Sequence, residues 1–262
     1  SQFIKFKNYF EGNSKVIDCT FSKEGNLRDS LDKIRSLSEI AAREGLKQLI
    51  LTDKEVNKNR LAIPMVLAVG AINSHLIKKS LRGFVNLNIE TGDTLDTHSY
   101  ATLLGVGATT INPYLALDSI YQRFEKNLFG NLNIEDCIKR YIKSVNNGIL
   151  KIMSKMGISV LSSYRGGCNF ETVGLSRAIV SEYFPGVISR ISGIGLIGIE
   201  KKIREIHKDA YLENLSVLPI GGLYKYRKNG ETHQYQGNLI HMLQHAVTNN
   251  SYDTYKKYTQ NI

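Results

Sequence analysis

The run Gly193-Ile194-Gly195-Leu196-Ile197-Gly198 satisfies G-x-G-x-x-G. Between a strand and a helix, such a run turns tightly, lets its backbone approach a pyrophosphate and aims a helix N-terminus at the anion. Here it comes late in the chain rather than in a first βαβ unit, and no following strand ends in an acid, since Glu213 sits on no evident strand. A packing turn is the preferred reading, and an independent nucleotide-dependent α/β enzyme is the alternative. A second turn, Ser163-Tyr164-Arg165-Gly166-Gly167-Cys168-Asn169, offers amides and Arg165 to an anion but lacks the spacing of a phosphate-binding P-loop. Its plainer reading is structural: Gly166 and Gly167 permit the turn, and Arg165 pairs with a neighbouring acid or carbonyl. Cys168 at a helix start would have a lowered thiol pKa and become a nucleophile, but a buried spectator thiol is preferred.

The remaining polar residues assemble no complete catalytic set. His241 and His245 lie four apart on one predicted helical face, as metal ligands do, yet Met242, Leu243 and Gln244 between them leave H-E-x-x-H unfilled. Glu90, Thr91, Gly92 and Asp93 close a predicted strand, where α/β proteins place their working loops. Cys19, Cys137 and Cys168 are widely spaced with no CxxC pair. That excludes a disulfide scaffold, a four-cysteine zinc site and a full iron–sulfur ligand set within these residues, and it suits a cytoplasmic location.

These residues sit on a chain able to bury a sizeable core: 262 residues, 42% hydrophobic, with 22 Gly and only 4 Pro. No apolar run approaches the roughly 18 residues of a membrane span; even 63–77 is interrupted by Asn73, Ser74 and His75. The net charge of +10 is spread, with only short clusters such as Lys201-Lys202 and Lys256-Lys257. A basic nucleic-acid-binding module is therefore disfavoured against a solvated lysine surface. The start, Ser-Gln-Phe-Ile-Lys, has no initiator Met and no leader pattern, and reads as part of a longer chain.

Apolar periodicity predicts the positioning elements. An extended piece at 15–21 precedes a helix capped by Asn26, with Leu27, Leu31, Ile34, Leu37 and Ala41 inward and Gly45 at its end. A buried strand at 48–52 ends in Asp53, and a helix follows at 63–81 with Pro64 in its first turn. The alternation continues with a strand at 84–89, a helix at 97–104, a strand at 109–111 and a helix through 124. Asn133 caps a long amphipathic helix with Ile138, Tyr141, Val145, Ile149, Ile152 and Met156 on one stripe, ended by Gly157. Strands are predicted at 158–162 and 187–191, a helix capped by Asn169 runs at 175–183, and a last helix carries Leu196, Ile199, Ile203, Ile206 and Ala210 inward. About five βα units imply an α/β fold, a layered or incomplete barrel-like parallel sheet flanked by helices. Beyond residue 214 the pattern becomes turn-rich, with helices at 239–247 and 252–258. The expected organisation is thus residues 1–214 and a tail, 215–262.

Several stretches together resemble the central domain of the glutamate synthase large subunit. They include Ile63-Pro64-Met65-Val66-Leu67-Ala68-Val69, Ser80-Leu81-Arg82, Glu90-Thr91-Gly92, Leu103-Leu104-Gly105-Val106-Gly107-Ala108 and Ile111-Asn112-Pro113-Tyr114-Leu115-Ala116. The order continues through Lys151-Ile152-Met153-Ser154-Lys155-Met156-Gly157-Ile158-Ser159, Ser163-Tyr164-Arg165-Gly166 and Ser189-Arg190-Ile191-Ser192-Gly193-Ile194-Gly195-Leu196. The tail resembles the family's lead-in to the flavin domain through Gly222-Leu223-Tyr224, Gly230-Glu231, His233 and Ile240-His241.

The resemblance implies a parent that hydrolyses glutamine, channels ammonia and reductively aminates 2-oxoglutarate with FMN and a 3Fe–4S cluster. Its electrons would come from an NADPH-oxidising subunit or from ferredoxin. The N-terminal catalytic cysteine and the flavin domain proper are not among these residues, so the implied role is a non-catalytic connector between the glutaminase and FMN-binding domains. On this reading no catalytic, cofactor-binding or metal-ligating residue is assigned, and no nucleic acid or membrane partner is expected. The candidate interdomain or tunnel-facing loops are Glu90, Thr91 and Gly92, and Ser163, Tyr164, Arg165 and Gly166.

Overall fold

The helices that apolar spacing predicts after Asn26, after Pro64 and after Asn133 form close to those bounds. A computed structural model describes residues 2–167, 169–212, 220–222 and 225–262. Helix α1 (Gln2–Tyr9) leads into β1 (Ser14–Asp18) and β2 (Thr20–Ser22), then α2 (Leu27–Arg43), β3 (Gln48–Thr52), β4 (Arg60–Ala62) and α3 (Met65–Lys78). There follow β5 (Asn86–Glu90), α4 (Thr97–Val106), β6 (Thr110–Asn112), α5 (Tyr114–Glu125), α6 (Ile134–Lys155) and the one-turn α7 (Leu161–Tyr164). Then come β7 (Glu171–Leu175), α8 (Arg177–Tyr183), β8 (Ile188–Ile194), α9 (Leu196–Ala210), α10 (Gly237–Thr248) and α11 (Tyr252–Gln260). The fold is α/β, as the alternation predicts.

The main sheet is parallel and four-stranded, in the order β1-β3-β5-β6. Strand β3 is buried along its whole length, which explains its unbroken Gln-Leu-Ile-Leu-Thr run in place of an alternating one. Asn26 and Asn133 cap α2 and α6 as expected, each side chain accepting a hydrogen bond from the amide three residues on. Gly45 ends α2 with φ +84, a left-handed conformation that glycine adopts without strain. The core gathers Ile17, Leu31, Leu49, Leu51, Ile72 and Ile89 between sheet and helices. A smaller cluster joins α4, α6 and α7 through Ala101, Leu104, Met153 and Tyr164.

Several elements differ from the expectation. The extended 15–21 segment breaks at Cys19: β1 joins the main sheet, while β2 pairs with β4 in an antiparallel ribbon. No strand forms at 158–162. The chain there makes the α7 turn instead, which delivers Tyr164 into the smaller apolar cluster. Asn169 caps no helix, because the next element is β7; Ser176 caps α8. Strand β8 pairs with β7 in a separate two-stranded parallel sheet. The expected inward stripe of α9 is half fulfilled: Leu196, Ile199 and Ile203 pack on the core, but Ile206 is 70% exposed.

Two units emerge, Ser1–Tyr211 and Leu212–Ile262. In the second, α10 packs on α11, and a row of tyrosines, 252, 255 and 258, runs along α11 at ring separations of 6.3 and 6.1 Å.

Candidate functional site

At the carboxyl ends of β3, β5 and β6 the structure gathers a buried polar cluster, where a parallel sheet normally receives a ligand. Asp53, Glu90 and Thr91 are each no more than 3% exposed. The Asp53 carboxylate accepts from the Thr91 hydroxyl, from the Gly92 amide at 3.2 Å and from the Tyr114 hydroxyl at 2.8 Å. Glu90 is clamped by two lysines: its Oε2 lies 2.8 Å from Lys7 Nζ and its Oε1 2.8 Å from Lys54 Nζ. Lys54 also sits 5.0 Å from the centre of the Tyr114 ring, a cation–π contact. Asp93 accepts from the Met65 amide at 3.1 Å, supplying to α3 the cap that Pro64 lacks.

The electrostatics follow from burial and partners. Burial raises the Asp53 pKa, with the bonds from Thr91 and Tyr114 only partly offsetting it. Burial, then the bond to Asp53, pushes the Tyr114 phenol well above its ordinary value, so it remains a donor. Burial opposes ionisation of Glu90, but Lys54 and Lys7 outweigh it and hold the carboxyl below the usual range.

The depressed Glu90 pKa carries a sign. Its contribution to stability is fully present above the unfolded glutamate pKa of about 4.3 and is lost as pH falls through the lower folded value. Urea midpoints taken from neutral pH downward should therefore fall more steeply below about pH 4.5 for the wild type than for Glu90→Gln. Parallel curves would contradict the ion-pair geometry.

The second expected loop lies elsewhere. Ser163 is exposed, and Tyr164, 1% exposed, meets Phe170 edge-on at 6.2 Å. Arg165 Nη1 donates to Thr109 Oγ1 at 3.3 Å, and the Gly166 amide donates to the Gly105 carbonyl at 2.9 Å. Among the described residues Arg165 therefore bonds a neutral hydroxyl rather than an acid or carbonyl. Thr109 stands beside Leu87 at the amino end of the sheet, three residues before Glu90 along β5. That is about 10 Å along the strand. The two candidate loops thus occupy opposite ends of the sheet.

The Gly193–Gly198 turn does link a strand to a helix, β8 to α9. The groove beside Gly195 and Gly198 is lined by Arg28, Asp29 and Glu200, and Arg28 is already paired with Glu182. Glu200 already accepts from the Leu27 amide at 2.9 Å, capping α2 with a carboxylate where a phosphate would compete. His241 and His245 lie exposed on α10. Among the described residues no group of three or more His, Cys, Asp or Glu is placed to hold a metal ion. Cys19 is fully buried and its thiol is pushed far up, first by burial. Cys168, Glu213, Leu223 and Tyr224 lie outside the described residues.

Sequence reasoning missed Lys7, because α1 was not foreseen; the signal was the aromatic spacing of Phe3, Phe6 and Phe10, whose rings follow one another at 5.7 Å, stacked, and 4.9 Å, tilted. It also missed Tyr114 as a partner of Asp53, a contact between residues 61 apart.

The family model described as the glutamate synthase central domain matches residues 1–176. The chain belongs to that family. It is 50% identical, over its whole length, to the glutamate synthase [NADPH] large chain of Azospirillum brasilense, covering 18% of that protein. Against the Bacillus subtilis large chain the identity is 38%, over 94% of this chain and 16% of the relative. Against the ferredoxin-dependent chloroplastic enzyme of Spinacia oleracea it is 36%, over 91% and 16%. The chain thus corresponds to less than a fifth of these relatives' length. The match bears out the resemblance read from the sequence, and neither the nucleotide-enzyme nor the nucleic-acid alternative is supported. Among the described residues no helix is long and apolar enough to cross a membrane.

Proposed function

We propose that this chain serves as the connecting domain of a glutamate synthase, holding a glutaminase domain and an FMN-binding domain in register and helping to wall an ammonia path between them. The observation that carries this is the filled carboxyl end of the sheet. The acids that an enzyme of this class would turn toward a substrate are consumed by internal partners: Asp53 by Thr91, Gly92 and Tyr114, and Glu90 by Lys7 and Lys54. A wall needs that rigidity, because ammonia released into water protonates and escapes.

On this reading residues 1–214 are the connector and 215–262 lead toward the FMN-binding domain. The parts of 90–92 and 163–166 that remain accessible face neighbouring domains or the path. The parent would act in the cytoplasm, make two glutamates from glutamine, 2-oxoglutarate and reductant, and take electrons from an NADPH-oxidising subunit or ferredoxin. FMN and a 3Fe–4S cluster would supply the redox chemistry there. The described residues of this chain do not fit the cluster, since Cys19 is sealed in the core and no described ligand group forms. At the Gly195 turn the carboxylates of Asp29 and Glu200 disfavour a flavin phosphate, and Arg28 beside them is already paired with Glu182.

A coupled assay tests the proposal. The purified chain, supplied with FMN and a reductant, should neither form glutamate from glutamine and 2-oxoglutarate nor release ammonia from glutamine. Turnover that survives repurification would overturn the connector reading.

A further inference from the structure

Two arginines bond to one short segment, 107–109, at the amino end of the sheet. Arg82 donates from Nε to Asn73 Oδ1 at 2.7 Å, from Nη1 to the Val85 carbonyl at 2.6 Å and from Nη2 to the Gly107 carbonyl at 2.8 Å. Arg165 reaches the same 107–109 segment through Thr109 Oγ1 at 3.3 Å. Every one of these acceptors is neutral. Among the described residues neither guanidinium has a carboxylate partner, whereas most buried or half-buried cations in proteins are paired.

The arrangement is built rather than accidental. Arg82 is locked by three acceptors on three separate segments. Arg165 is fixed by its neighbours: Tyr164 is anchored in the apolar cluster, and the Gly166 amide is tied to Gly105. Both side chains are only partly buried, so solvent and solutes reach them. Burial first, and then the nearby charge of Arg165, draw the Arg82 guanidinium down to about 10. Each guanidinium retains N–H donors that no described acceptor uses.

The geometry points to an oxyanion site formed by Arg82 and Arg165, with Thr109 as its floor, taking a compact carboxylate or phosphate. A bound oxyanion would relieve the repulsion and fill the free donors with charge-assisted hydrogen bonds, the arrangement in which guanidinium forks bind most strongly. The site stands apart from the Asp53–Glu90 cluster at the far end of the sheet, and it does not depend on the connector role.

Calorimetric titration of the whole chain at fixed ionic strength tests it, with inorganic phosphate in one arm and succinate in the other. Saturable one-site binding of either is expected, and the tighter arm identifies the preferred oxyanion. Arg165→Gln should weaken binding about tenfold or more, the loss of a charge-assisted pair, and Arg165→Lys should recover part of it. Arg165 is the residue to replace because Arg82 also braces the backbone. Should Arg165→Gln fold poorly, the unfolding temperature of the wild type supplies the second readout: phosphate should raise it more than sodium chloride of equal ionic strength. Equal effects of the two salts, or unchanged affinity in Arg165→Gln, would overturn the site.

Discussion

Gly193→Ala is expected to destabilise the protein by about 3 kcal/mol, at the upper end of the overpacking range, while Gly195→Ala costs less than about 1 kcal/mol. The difference lies in what each new methyl group would meet. At Gly193 it would fall 2.1 Å from the Gly174 carbonyl oxygen and 2.4 Å from its carbon, backbone atoms that cannot swing aside. Gly174 is itself at φ +83, where β7 and β8 pair with register shifts. Two glycines facing each other at a bulge let two backbones approach closely. At Gly195 nothing lies within 4 Å. The pairing of β7 with β8 is the weak point, since two strands alone are marginal; the damage should start there and reach Tyr183 of α8, which is 1% exposed in the main core. Chemical denaturation of both variants measures the contrast. A dinucleotide site would instead be most sensitive at Gly195, and calorimetric titration of the wild type with NAD, NADP or FAD should be flat. Equal stability of the Gly193 and Gly195 variants would refute the packing role.

The elements that could be read in advance share one property: their apolar residues face one neighbour at a fixed period. Helix α2 buries Leu27, Leu31 and Ile34 and carries its own cap in Asn26, so pattern and cap agree. Strand β7 shows no such period. Val173, at its centre, is 64% exposed, and Gly174 breaks the alternation, so nothing local separates it from a loop. The 158–162 segment misled for the opposite reason. Its apolar run reads as a buried strand, yet Val160 and Leu161 are exposed and Tyr164 is the residue that enters the core. Of the site, Glu90, Thr91 and Gly92 were legible as a strand end, since loops after parallel strands have a known place. Their partners were not, because Lys7, Lys54 and Tyr114 arrive from three other segments, and contacts of that separation leave no local trace.

Asp53→Ala is expected to cost about 3 kcal/mol, and Asp53→Asn less than about half of that, at neutral pH. Asp53 is the acceptor on which the β3, β5 and β6 ends converge. Alanine would leave the Thr91 hydroxyl, the Gly92 amide and the Tyr114 hydroxyl facing a void, and each buried donor without a partner costs roughly 1–3 kcal/mol, reduced where water enters. Asparagine keeps the shape and one acceptor oxygen, and it removes a charge that burial disfavours. The pH dependence runs opposite to that of Glu90. Because the folded pKa of Asp53 is raised, its contribution is fully present below the unfolded aspartate value of about 3.9 and is lost as pH rises through the folded value. Relative to Asp53→Asn, the wild type should therefore gain stability as pH falls, the reverse of its behaviour relative to Glu90→Gln. Urea unfolding of the three proteins across acid pH reads both slopes in one experiment. An alanine variant within 1 kcal/mol of the wild type would mean that the three donors find water as readily as Asp53, and that the carboxyl end of the sheet is open rather than filled.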